Sequence, residues 1–235
     1  MSFLFDDGSN EGFRVDSTPV TAAPLTMCCW FQTDDLGNEG CLLWIGDKDV
    51  NGHGWQLIAN GAVGGDPIQF VALPDSGTAA TSSGMSLNTW HHAAAVTSSA
   101  TSRDVFIDGG SKGSDTTSSV PAGSDRFAIG FRARSSPVLY HSGLIAEAAV
   151  WNVALTEAEI AWLAKGYSPY SLVHRLANLV IYHDLIRDSD RPYIGANMTT
   201  VATPVISAHS RVFNIALQTM SPTAPITFVP HTVII

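Results

Sequence analysis

Charge is scarce in this sequence. Only 14% of its 235 residues are charged, and 12 Lys and Arg stand against 21 Asp and Glu, a formal net charge of -9. That sign excludes binding to nucleic acid or to an anionic membrane through a basic surface, and no basic cluster offsets it. Cysteine is also rare. Cys28, Cys29 and Cys41 are an odd number without the spacing of a zinc site, and neighbouring residues of a strand point to opposite faces, so they read as reduced core or half-buried thiols. No apolar run approaches the roughly 20 residues that span a bilayer, which predicts a soluble protein. The opening MSFLFDDGSNEG lacks the basic and apolar regions of an export signal, so synthesis in a cytoplasm is expected, with a first strand close to residue 1.

What is abundant is hydrophobic side chain, at 45%. A core of some size can be buried, but few charges remain to coat the outside, so much of the surface is expected to face other protein. Residues 1 to about 150 run as short apolar or alternating stretches, among them SFLF, LTMCCWFQT, CLLWIG, GWQLIA, IQFVAL, TWHHAAAV, DVFIDG, RFAIGF and LIAEAAVW. Gly, Asn, Asp, Ser and Pro separate them. Strand-length runs with turn formers between them predict an all-β antiparallel sandwich or barrel.

One segment has a different period. In ALTEAEIAWLAKG, Thr156 and Glu159 have the spacing of a capping box, Leu155 and Ile160 that of a hydrophobic staple, and Gly166 suits a left-handed end. A short helix over about 157 to 165 is expected, with Ile160, Leu163 and Ala164 against the body and Glu157 and Lys165 in water. Beyond it, YSPYSLVHRLANLVIYHDLIRDSDRP starts with a Ser-Pro helix signal and becomes an apolar run that periodicity alone assigns neither to helix nor to strand. The last stretch mixes β-branched residues with prolines and has almost no charge, which suits an extended arm laid on its own chain or on a neighbour. The expected division is therefore a sandwich over residues 1–168 and an extension over 169–235 for anchoring or oligomerisation.

The stretch TWHHAAAV poses the question of chemistry. Alternation puts Trp90, His92, Ala94 and Val96 on one face and His91, Ala93, Ala95 and Thr97 on the other. The two imidazoles diverge, so they cannot share a metal, and both read as packing, His92 half-buried and His91 on the opposite face.

The order of these elements carries a resemblance. A Trp-His-His-Ala strand, a polar turn, Val-Phe-Ile-Asp-Gly, and then GLIAEAAVWNVALTEAEI resemble the laminin-G-like, concanavalin-A-like jelly-roll superfamily. Phe3-Leu4-Phe5-Asp6, Phe13-Arg14-Val15 and Pro24 to Phe31 fit its first strands. The resemblance covers about residues 1 to 165 and implies two stacked antiparallel sheets, one concave, with the short helix as a cap. Function does not follow from such a fold and has to come from a site.

A glycosidase needs two carboxylates across the scissile bond, and a Glu-x-Asp-x-x-Glu strand, which supplies them in enzymes of this fold, does not occur. Nucleophile elbows, P-loops and dinucleotide fingerprints are also missing, so no catalytic residue, no enzyme and no cofactor is expected. Asp47-Lys48-Asp49-Val50-Asn51-Gly52 resembles the first half of a calcium loop, making Asp47, Asp49 and Asn51 candidate calcium donors, although Ile58 stands where the twelfth-position carboxylate belongs and a polar hairpin explains the stretch equally. Asp6, Asp7 and Glu147 are further candidates, since some relatives hold calcium at loops on the sandwich edge. Trp44, Trp55, Trp90 and Trp151 read as core members rather than a sugar platform, and Trp162 as the partly exposed one.

Residues 171 to 211 are similar to segments that follow such jelly rolls in tailed-phage and prophage structural proteins, except that Ser210 stands where those have Pro after His. With the missing signal, the low charge and the apolar arm, this makes a virion protein the first expectation: a capsid decoration or head or tail appendage, outside any membrane. Its partners are expected to be capsid or other virion proteins and copies of itself. The alternative is a carbohydrate-binding or adhesion module for cell-surface glycans.

Overall fold

The structure is a computed structural model that describes residues 2–74, 77–185 and 194–207. Two antiparallel sheets face each other, and their alternating apolar side chains interlock as the core. The first half of the chain contributes β1 (Ser2–Phe5), β2 (Gly12–Val15), β3 (Leu25–Thr33), β4 (Glu39–Gly46), β5 (Gly54–Asn60), β6 (Pro67–Leu73) and β7 (Gly77–Gly84). The second half adds β8 (His91–Ser99), β9 (Ser102–Ile107), β10 (Gly110–Asp115), β11 (Arg126–Ile129) and β12 (Gly143–Trp151). After the helix α1 (Glu157–Leu163) come β13 (Leu179–His183), β14 (Thr199–Val201) and β15 (Val205–Ser207). The first sheet runs β10-β9-β8-β3-β12-β1-β15, with β13 beside β12, and the second runs β14-β2-β11-β4-β5-β6-β7.

Period-2 alternation decides the inner faces. In β3, Leu25, Met27, Cys29 and Phe31 point between the sheets, while Cys28 points outward. The expected opposition of Cys28 and Cys29 is therefore found, and all three cysteines are buried free thiols. Across the gap Leu43, Ile45, Trp55, Leu57, Phe70 and Phe127 complete the core. Trp44, Trp55 and Trp151 are buried as expected; Trp90 precedes its strand and is half-exposed.

The outer face of the first sheet is apolar too, which an antiparallel sheet tolerates only under a cover. Cys28, Ala94, Val96, Phe106, Ala149 and Trp151 lie there under Leu155, Ile160, Leu163, Leu172 and Leu179. The cover is α1 and two 3-10 turns, Pro169–Ser171 and Val173–Asn178. Thr156 caps α1 and Glu159 returns the bond to the cap backbone, as the spacing predicts. The helix ends at Leu163, two residues before the expected end, because Lys165 and Gly166 turn their N–H groups to carbonyls only three residues back. Gly166 adopts φ 89°, the left-handed end its sequence position suggests.

The segment expected as an arm is part of the sandwich where it is described. β13 extends β12 from Ala148 to Trp151, β15 pairs with β1 and β14 with β2. The run after Ser-Pro thus resolves into 3-10 turns followed by a strand. Residues 208–235 lie outside the described residues.

Candidate functional site

The histidine pair belongs to the framework. Nδ1 of His91 lies 2.7 Å from Asp108, the Ser86 N–H donates to its Nε2 at 3.0 Å, and the other Asp108 oxygen accepts the His92 N–H. Because Nε2 accepts from an amide, the Nδ1 side of the ring carries the hydrogen that points at Asp108. His92 is fully buried, 1% exposed, rather than half-buried, because the Trp30 ring packs edge-on at 5.5 Å and α1 roofs its face of the sheet. Burial pushes its pKa down to about 4.

The calcium candidates separate. Asp47 and Asp49, in the β4–β5 hairpin, come together with Asp125, their oxygens within 4.8 Å of one another. Asn51 does not join them: its side-chain oxygen accepts from Ser135 and Ser136, and its carbonyl from Arg132 and Arg134. The carboxylate set suits a hard cation. However, the Lys48 ammonium already sits among these groups, 3.1 Å from Asp49 and bonded to Asp125, so a metal ion would have to displace it. The residues as arranged fit a lysine-neutralised hairpin rather than a calcium loop.

Asp6 and Glu147 are likewise employed elsewhere. Asp6 accepts from Gly8 and Ser9 and so shapes the β1–β2 turn. Glu147 is 2% exposed beneath the cover of the first sheet, where the Tyr182 hydroxyl donates to it, and burial raises its pKa to about 7.

Asp7 alone of those residues reaches an open concavity. Four loops that are far apart in sequence meet at one end of the sandwich and border a shallow, open groove of about 430 Å³, lined by Asp7, Asn38, Glu39, Ala62, Leu139 and Tyr140. Its floor narrows between Thr33, His141 and Ser142 to a pit of about 10 Å³, room for one water. Each wall is held from behind. Asp35 accepts from Gly37 and Asn38, both at 2.6 Å, fixing the β3–β4 turn. Asn60 donates to one oxygen of Glu39 at 3.1 Å and to Gln69 at 2.9 Å. The loop carrying Tyr140 hangs on both neighbouring strands, through Cys41 N–H to Leu139 at 2.8 Å and His141 N–H to Gly130 at 2.8 Å. Phe131 stacks on Tyr140 with ring centroids 5.1 Å apart and planes 4° off parallel. Burial raises the Tyr140 hydroxyl above its ordinary pKa, against the pull of Arg14, so it stays a donor. Tyr140, Asn38 and Glu39 escaped the sequence reading because no period or motif joins them.

Trp162 is 38% exposed, as expected, stacked on Tyr167 at 3.9 Å and held by Ser171 at 3.0 Å.

A family model described as the concanavalin A-like lectin/glucanases superfamily, Laminin_G_3, matches residues 7–161. The chain belongs to this superfamily. That span holds the whole rim groove of this concanavalin A-like domain and all of its strands except β1 and β13 to β15. Among solved structures it is similar to the heptameric SAP-like pentraxin of Limulus polyphemus, at 16% identity over 69% of this chain and 81% of that one, with a TM-score of 0.57. It is similar to domain 4 of AbnA, a GH43 extracellular arabinanase of Geobacillus stearothermophilus in complex with arabinotriose, at 22% identity over 69% and 81%, TM-score 0.53. A third is the CBM40 of the Ruminococcus gnavus IT-sialidase bound to α2,3 sialyllactose, at 14% identity over 70% and 97%, TM-score 0.58. At such identities the likeness is one of fold. Among curated proteins none matches the chain.

Proposed function

We propose that this concanavalin A-like domain is a non-catalytic carbohydrate-binding module that holds a glycan in the rim groove. The observation that carries the reading is the Tyr140 ring, clamped by Phe131 in the wall of a groove whose other sides present Asp7, Asn38 and Glu39. A sugar has an apolar C–H face and a rim of hydroxyls. A rigid aromatic ring meets the first, and carboxylate and amide oxygens accept from the second. Domain 4 of AbnA and the CBM40, both in complex with oligosaccharides, share the fold and support the reading.

The virion role draws no support from these comparisons, and the described part of the segment that suggested it lies in the sheets of its own domain. The test is binding of the full chain to a panel of immobilised oligosaccharides, with Tyr140→Ala alongside. A bound glycan whose affinity falls about tenfold or more in the variant supports the reading. Binding that ignores Tyr140, or no binding to any glycan, overturns it.

A further inference from the structure

The groove has a one-sided electrostatic character. Asp7 and Glu39 line it, Asp35 stands in its pit, and neither Lys nor Arg lines either part. Two bases act from outside it: Arg14 is felt at the Tyr140 hydroxyl, and Arg132, which donates to the Asn51 carbonyl, is felt by Glu39, leaving Asp7 and Asp35 as the carboxylates without a basic neighbour in the lining. One oxygen of Glu39 takes the Asn60 amide, and the residue lines the groove. Concave walls of one sign concentrate their potential, and a groove mouth near the low-dielectric body screens it less than open water does.

We propose that the groove selects glycans by charge, taking chains that carry a free amino sugar, such as glucosamine oligomers, and rejecting sialylated or otherwise anionic ones. The proposal rests on the carbohydrate-binding reading above and names its ligand class. A pyranose with an ammonium in place of a hydroxyl keeps the C–H face that Tyr140 requires and adds a charged donor for Asp7 and Glu39, whose hydrogen bonds to a cation are stronger than those to a neutral hydroxyl. A sialic acid would bring a carboxylate against three others, a like-charge juxtaposition that specific sites use to refuse the wrong partner.

The experiment titrates the full chain by calorimetry at about pH 6, where a sugar ammonium is protonated, with glucosamine oligomers, N-acetylglucosamine oligomers and sialyllactose. The proteins are wild type, Tyr140→Ala and the Asp7→Asn, Glu39→Gln pair, whose sites are at the surface and whose folding is checked by near-ultraviolet circular dichroism. The amino oligomer is expected to bind about tenfold tighter than its acetylated form at low salt, a gap that shrinks as salt rises. The paired variant should close it, Tyr140→Ala should weaken both oligomers, and sialyllactose should not bind. Equal affinity for the two oligomers, with loss in Tyr140→Ala, would overturn the charge selection and leave the glycan site standing. Amino-oligomer binding untouched by Tyr140→Ala would be general attraction to a chain of net charge -9 and would overturn the proposal too. If none of the three binds, both readings fall.

Discussion

Tyr182 donates its phenolic hydrogen to Oε2 of Glu147, while Oε1 of the same carboxyl meets no donor among the described residues. The pair sits at a bulge between Ala146 and Ala149 of β12, where the Glu147 backbone takes the left-handed φ of 54°. This bulge divides the edge of β12 into a part paired with β1 and a part paired with β13. The Glu147 N–H crosses to the Asp184 carbonyl at 3.2 Å, closing the junction. A carboxyl with one oxygen unpaired in an apolar layer is stabilised by keeping its proton.

That proton predicts a pH dependence. Burial, aided by the Asp184 charge and opposed by the Tyr182 bond, raises Glu147 from 4.5 to about 7. A folded state that holds a proton the unfolded chain has lost is most favoured below pH 4.5 and loses that advantage as pH climbs through about 7. The loss amounts to about 3 kcal/mol. Urea unfolding of wild type and Glu147→Gln across this range should show the gap moving in the variant's favour by that order. Parallel curves would mean that the carboxyl is not held protonated by its burial.

Three imidazoles act in the opposite direction. Burial pushes His92, His141 and His183 each down to about 4. They stay neutral in the fold while the unfolded chain protonates them, so their contribution is complete above pH 6.5 and disappears as pH falls toward 4. Between 6.5 and 4.5 the opposing proton on Glu147 leaves a net uptake of about two on unfolding, a slope of about 2.7 kcal/mol per pH unit. Depressed carboxyls such as Glu159, held at about 2 chiefly by Arg175 and its Thr156 cap against desolvation, steepen the loss at lower pH. Stability measured by urea unfolding should therefore level off above about pH 7 and fall steeply on the acid side. A flat profile from 6.5 to 4.5 would show that these rings are reached by water.

The sequence discloses strands that are apolar runs of strand length and hides those built of small or polar residues. β3, β5 and β12 announce themselves through Leu25 to Phe31, Trp55 to Ala59 and Leu144 to Trp151, and Thr156 and Glu159 mark α1. GTAATSSG and GSKGSD, which are β7 and β10, have small and polar side chains and owe their extended form to backbone pairing with β6 and β9. The run Leu179 to His183 lacks a period because β13 buries both of its faces, one between the sheets through Ile181 and one under the cover through Tyr182. The groove was the least legible part. Asp7, the adjacent Asn38 and Glu39, and Tyr140 come from three separate places in the chain, and only the closing of two sheets brings them together.

The same two-faced burial makes the region after the helix necessary to the fold. A chain ending at Gly166 would leave the β12 backbone from Ala148 to Trp151 without its β13 partner. It would also strip Leu172, Leu179 and Tyr182 from the layer over Trp151, and Ile181, Leu185 and Met198 from the core between the sheets. At about 1.5–3 kcal/mol for each large apolar side chain, six such losses rival the whole stability of a domain, about 5–15 kcal/mol. The exposed edge and the bare Cys28–Ala94–Ala149 surface would then invite association. The truncated chain is expected to lack a cooperative urea transition and near-ultraviolet ellipticity, and to aggregate. Should it instead unfold cooperatively as a monomer with the midpoint of the full chain, residues 169–207 would be an accessory laid on a sandwich already complete, and the separate extension read from the sequence would regain its place.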